Sequence, residues 1–251
     1  MHSVRRKFSV LLLSVSVCLV GSRVCSQTQL KGTIVHSEFL APLTQQEEIG
    51  QVFEGTALYK RMMAYRNAPL QKFLVPEWLA GTWLRKEATE TKRIELPSGR
   101  LLPPAGTSTA RTTDRFGSYR DRLGLIWQTF EPAQALGKMD RGSSTDYYVV
   151  TGYELMTMGQ ATAIVQVRAC HAVVDKKTNK VLSAYQDEEL NTYSMLSGSV
   201  LKTDSSVKIF DVKGKARYMT RAVSDETRVG PFVQTVNSPD AAPAANSGTR
   251  N

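Results

Sequence analysis

ATAIVQVRACHAVV, residues 161–174, alternates small and branched apolar side chains with polar ones at a spacing of two. Ala161, Ala163, Val165, Val167, Ala169 and Val173 fall on one side of an extended chain, and Thr162, Gln166 and Arg168 fall on the other. That period belongs to a strand buried on one face. DKKTNK at 175–180 supplies a turn, and residues 181–193 return as a partner strand. Outward from this pair, DYYVVTGYELM at 146–156 is dense in strand-forming aromatic and β-branched residues. Residues 207–211 pair with 216–223 across 212–215, and 109–119 with 125–131 across Asp121-Arg122-Leu123-Gly124. WLRKEATETKR at 83–93 reads as the first long strand, with charge on both faces.

About eight strands in series, joined mostly by hairpins, predict a mainly-β fold closed into an antiparallel up-and-down barrel, which leaves no exposed edge. A two-sheet sandwich of the same strands is the alternative. Three segments read as loops: 96–108 (LPSGRLLPPAGTS), which is long enough to act as a flap, 132–145, and the polar stretch 194–205. Ahead of the strands, Thr44 followed by Glu47 has the form of a capping box. Ile49, Phe53, Leu58, Met62 and Tyr65 then recur at helical spacing up to Pro69. The expectation is one helix near 44–67, packed on the barrel or plugging one end.

The chain begins with Arg5-Arg6-Lys7, an apolar run over 8–20 and then small residues, the pattern of a secretory signal peptide cut after Ser26. The run is too short to span a bilayer comfortably, so no transmembrane span is expected after cleavage. The product would be exported: periplasmic, lumenal or extracellular. Removing Arg5, Arg6, Lys7 and Arg23 takes the formal charge from +9 to +5. Of three cysteines, Cys18 and Cys25 leave with the signal and Cys170 stays, whereas a cut after Gly21 would keep Cys25. The expected layout is a signal at 1–26, a helix-bearing segment at 27–78, the barrel at 79–223 and a tail at 224–251. NSPDAAPAANSGTRN, from Asn237 on, has no apolar pattern and reads as disordered.

Gly81-Thr82-Trp83, opening the first long strand, resembles the Gly-x-Trp motif of the lipocalins and the wider calycin group. The phrase PEWLAGTW, residues 76–83, is similar to a PEW-x-AGTW segment of exported proteins of cyanobacteria and plastids. The resemblance implies a lipocalin-like barrel over about 79–223, with Gly81 and Trp83 in a structural, barrel-closing role. Thr145-Asp146-Tyr147 looks like a second lipocalin motif but lies 145 − 81 = 64 residues after Gly81, too early for it. The usual C-terminal helix is replaced by one before the barrel.

No Gly-x-Ser-x-Gly elbow, glycine-rich phosphate loop or His-Glu-x-x-His helix occurs. Neither catalysis nor a cofactor or metal is therefore expected. Cys170 and His171 are adjacent, which on a strand sends them to opposite faces and prevents a nucleophile–base pair. Asp187 and Glu189 share a face about 7 Å apart, a separation at which two carboxylates could serve acid/base chemistry or hold a cation; with Glu188 between them the leading reading is a solvated charged run that Arg168 can pair. Arg111, Arg115, Arg120 and Arg122, with Phe116 and Tyr119 between, have the composition of an anion-binding surface for glycans or lipid headgroups. Export argues against nucleic acid. The leading expectation is a non-catalytic binding module for a small apolar ligand, its cavity lined by Trp127, Tyr147, Tyr153 and Tyr185. The alternatives are a cell-envelope assembly protein with a filled barrel and a barrel-based enzyme acting on a small molecule.

Overall fold

A computed structural model describes residues 34–44, 48–109, 111–134 and 136–236. The expected signal peptide, Glu47 of the expected capping box and the tail from 237 lie outside the described residues. In chain order the strands are β1 (Gln71–Val75), β2 (Gly81–Arg85), β3 (Ala88–Glu95), β4 (Leu101–Leu102), β5 (Thr107–Ser108), β6 (Thr112–Phe116), β7 (Tyr119–Arg120), β8 (Ile126–Phe130), β9 (Leu136–Asp140), β10 (Ser144–Met158), β11 (Thr162–Asp175), β12 (Val181–Ser197), β13 (Val200–Asp211) and β14 (Ala216–Gly230). One helix, α1 (Ala57–Tyr65), precedes them. The large sheet is an antiparallel meander in the order β9-β10-β11-β12-β13-β14, and a small second sheet has the order β1-β8-β7.

The meander carries a core on each face, at opposite ends. On the inner face Ala163, Val165, Tyr193 and Leu201 pack with Trp83 and Phe116, and Val75 and Ile126 of the small sheet cover them. On the outer face Val149, Cys170, Ala172 and Val174 pack under Leu58 and Met62 of α1. The buried positions of β11 therefore switch from odd to even numbers along one strand. Alternation is kept throughout; what changes is which side is covered.

Among the described residues the ladder is not a closed barrel, and fourteen strands stand where eight were expected. β14 divides its free edge, giving Tyr218–Val223 to β3 and Glu226–Gly230 to β2. The sheet forks at Lys86 and Glu87, two exposed charged residues that split the expected strand at 83–93. β6 pairs with β2 and not with residues 125–131, so only Tyr119 and Arg120 complete the hairpin across the 121–124 turn. No ladder joins β1 to β10 among the described residues; the Tyr153 N–H donates to the side chain of Gln71 at 3.3 Å instead.

Other expectations are corrected for local reasons. α1 starts at Ala57, not Thr44: Thr56 caps it by accepting from the Tyr59 N–H at 3.0 Å, and Glu48 accepts from the Ala57 and Leu58 N–H groups. Gly50, at φ +83°, sits in a turn where the helix was expected. The 96–108 segment contains β4 and β5, which pair with β3, and 132–145 contains β9. The polar stretch 194–205 is strand, because its side chains find cross-strand partners: Thr203 with Glu226, Asp204 with Arg221. Residues 224–230 complete β14, and the chain then runs past Ser118, whose carbonyl accepts from the Thr235 N–H.

Candidate functional site

β12 lies at the centre of the meander, and alternation sends Tyr185, Asp187, Glu189, Asn191 and Tyr193 to its inner face. Tyr193 joins the apolar half of the interior, which Trp83, Phe116 and Leu201 fill with their own side chains. The rest of the inner face is ionisable, and it is the candidate site.

At one end stands His171, opposite Tyr185 on β12 and Tyr148 on β10. Its Nδ1 meets Asp146 Oδ1 and its Nε2 meets Asp187 Oδ2, each at 3.1 Å. The Tyr185 ring stacks on it with centroids 4.4 Å apart and planes 5° from parallel. Both ring nitrogens face carboxylate oxygens, so both carry protons and the ring is an imidazolium. Burial alone would lower its pKa; the two carboxylates outweigh burial and raise it to about 9. Asp146, fully buried, also takes Arg141 Nε at 3.1 Å and the Tyr185 hydroxyl at 3.2 Å. Burial pushes its carboxyl up, but His171 and Arg141 hold it below the ordinary range. A ring with both nitrogens engaged has no lone pair to accept a proton, so in this state it is a fixed charge and not a general base.

Further along, Glu189 accepts from Asn191 Nδ2 at 3.1 Å and Glu226 from the Thr203 hydroxyl at 2.7 Å. Asp114 on β6 sits opposite Trp83 on β2. Burial raises all three carboxyls above the usual range, Asp187 adding to the effect at Glu189. Arg85 is the cation whose charge opposes the rise in each, and its Nε donates to Thr112 at 2.9 Å. Among the described residues, Asp187 Oδ1 and Glu226 Oε2 are buried without a hydrogen-bond partner. A cavity of about 220 Å³ opens beside Arg85 and Glu189, walled by Ser205, Ser224 and Thr112. Inward carboxylates outnumber cations here, and a partly open space adjoins one of them, Glu189.

Asp187 and Glu189 share a face as their spacing requires, but the face is interior and not solvated. Glu188, between them, points outward and is fully buried under residues 34–44. It accepts from the Ser37 N–H and hydroxyl, both at 2.6 Å, from Arg168 Nε at 3.0 Å and from His36 Nδ1 at 3.2 Å. Burial raises its pKa, and these donors overcome the effect, bringing it down to about 2. Arg168 thus pairs Glu188 alone, on the side opposite Asp187 and Glu189.

Of the four aromatics expected to line one cavity, Tyr153 packs with Phe73 and Phe130, and Tyr185 belongs to the His171 cluster. Tyr147 lies on the outer face against Phe53, and Trp127 donates to Asp121 with Lys72 over its ring. The four are not brought together. Gly81 and Trp83 lie at the interior's end, Trp83 completely buried. Arg111, Arg115 and Arg122 are exposed, whereas Arg120 is held by Glu77 at 2.8 Å. Cys170 faces away from His171, and burial raises its thiol to about 12. Asp114, Asp146 and Glu226 are not among the expected site residues: Asp114 lies between Thr113 and Arg115 and Glu226 between Asp225 and Thr227, so no local apolar alternation marks these two, and it is pairing with β2 that places them inside.

Comparison with protein-family models, curated proteins and solved structures finds no match for this chain.

Proposed function

We propose that the chain is a non-catalytic binding module whose inner-face chamber takes a small organic cation of the amine class. One observation carries the reading: Asp114, Asp187, Glu189 and Glu226 face the interior against Arg85 and His171, and two of their buried oxygens lack donors. Burying unpaired carboxylates is costly, and an ammonium supplies the missing charge and N–H groups. An apolar ligand is less well served there, because the apolar half of the interior is occupied by Trp83, Phe116, Tyr193 and Leu201. The His171 imidazolium, clamped by two carboxylates, favours binding over acid–base chemistry. Export remains part of the proposal on the strength of residues 1–26, as does calycin-like ancestry on Gly81-Thr82-Trp83.

The test is calorimetry on the full chain with putrescine and, as a neutral isostere, butanediol. At about pH 8, where carboxyls ionise most readily, putrescine should bind saturably and the diol should not. Glu189→Gln should weaken putrescine about tenfold. Equal or absent heats for amine and diol would dismiss the reading.

A further inference from the structure

Residues 34–37 lie across the outer face of the meander, anchored by Glu188, and beside them runs a groove of about 620 Å³. That volume falls in the range that small-molecule sites occupy, about 300–1,000 Å³. Register explains its floor. Ile164, Leu190 and Met219 occupy outward positions on three strands of the meander, and Ile94 follows on β3 opposite Met219. β13, between Leu190 and Met219, adds Ser206 and Lys208 to this run, and α1 packs on the other end of the same face, so among the described residues no helix covers these side chains.

The groove's charge is one-sided. Lys92, Lys208 and Arg221 line it, against Asp204 as the lining carboxylate. Arg221 is bound to Asp204, and Lys208 donates to the Ser37 carbonyl at 2.8 Å. Lys92 is exposed and has no ion-pair partner among the described residues. The groove thus offers an apolar floor with one uncommitted cation at its wall, and the complement is an apolar chain ending in a single negative charge.

We infer that the outer groove is a second binding site, distinct from the inner chamber, for a free long-chain carboxylate. The chain would lie on Ile164, Leu190 and Met219, and the carboxylate would meet Lys92. No bond is made or broken.

Fluorescence titration of the full chain with cis-parinaric acid tests this. Saturable, one-to-one enhancement is expected, with Lys92→Glu weakening it about tenfold and the methyl ester binding about tenfold less tightly than the acid. Thr192→Trp, which puts a large ring on the groove wall, should abolish it. Should that variant not fold, Lys92→Glu and the ester still decide, since Lys92 is exposed. Absence of saturable binding, as when another segment of the chain or a protein partner fills the groove, would overturn the proposal. So would equal affinity for acid and ester, or Lys92→Glu binding as wild type does.

Discussion

Arg228 holds its guanidinium carbon 4.3 Å from the centroid of the Trp83 ring, and from there donates to the carbonyls of Ala80 at 2.8 Å and Trp78 at 2.6 Å. The last long strand is thereby tied to the turn that precedes β2, and the cation covers a ring that is itself fully buried. Trp83 completes the joint by donating its Nε1–H to the Leu79 carbonyl at 2.8 Å. Arg228→Met keeps much of the apolar stem but leaves the carbonyls of Trp78, Ala80 and Gly198 without their donor, a loss of about 2–3 kcal/mol. Arg228→Lys should recover less than half of it, since an ammonium lacks the planar fork. Urea denaturation of the three proteins measures both.

Gly81 lies beside that joint at φ +138°, where a Cβ would sit 2.9 Å from the Gly230 carbonyl oxygen and 2.9 Å from Arg228 Nη1. Gly81→Ala should therefore cost about 2 kcal/mol or more. Gly230 sits opposite the neighbouring Thr82 in the ladder, without a positive φ, and its Cβ would meet Thr82 at an ordinary 3.5 Å. Gly230→Ala should be tolerated within about 0.5 kcal/mol. Equal melting temperatures for the two variants would contradict this account.

The Asp146–His171–Asp187 cluster makes stability depend on pH in a defined direction. The folded pKa of His171, about 9, exceeds its ordinary value of 6.5, so its contribution is complete below pH 6.5 and is lost as pH rises through about 9. The fall across that window should be on the order of 3 kcal/mol, each pKa unit being worth about 1.4. His171→Gln should be less stable than wild type at about pH 6 and flat across the window. Denaturant midpoints at a series of pH values show whether the slope disappears.

Glu188 predicts the opposite dependence and a local effect. Its folded pKa of about 2 lies below the ordinary 4.5, so its contribution is present above pH 4.5 and lost as pH falls through about 2. Glu188→Gln removes the charge that holds Ser37, His36 and Arg168 together, a cost of about 2–3 kcal/mol. Hydrogen exchange should locate the change: the Ser37 amide should lose protection in the variant, while the amides of α1 keep theirs.

Much of the meander was legible in the sequence. Residues 161–174 alternate at period two, 175–180 has turn chemistry, and the following strand answers it in register, since these are local properties of the chain. The positions of Asp187 and His171 on one face and of Cys170 on the other follow from the same alternation. Which face is inside does not. β11 is covered on one side at its start and on the other at its end, by a small sheet and a helix that come from residues before 131. A stretch such as 187–189, three acids in a row, reads as solvated until those distant elements bury it from both sides. The fork at β14, the partner of β6 and the tie from Arg228 to Trp83 are likewise decided by tertiary structure. Each joins residues more than 25 positions apart, where neither periodicity nor turn chemistry carries information.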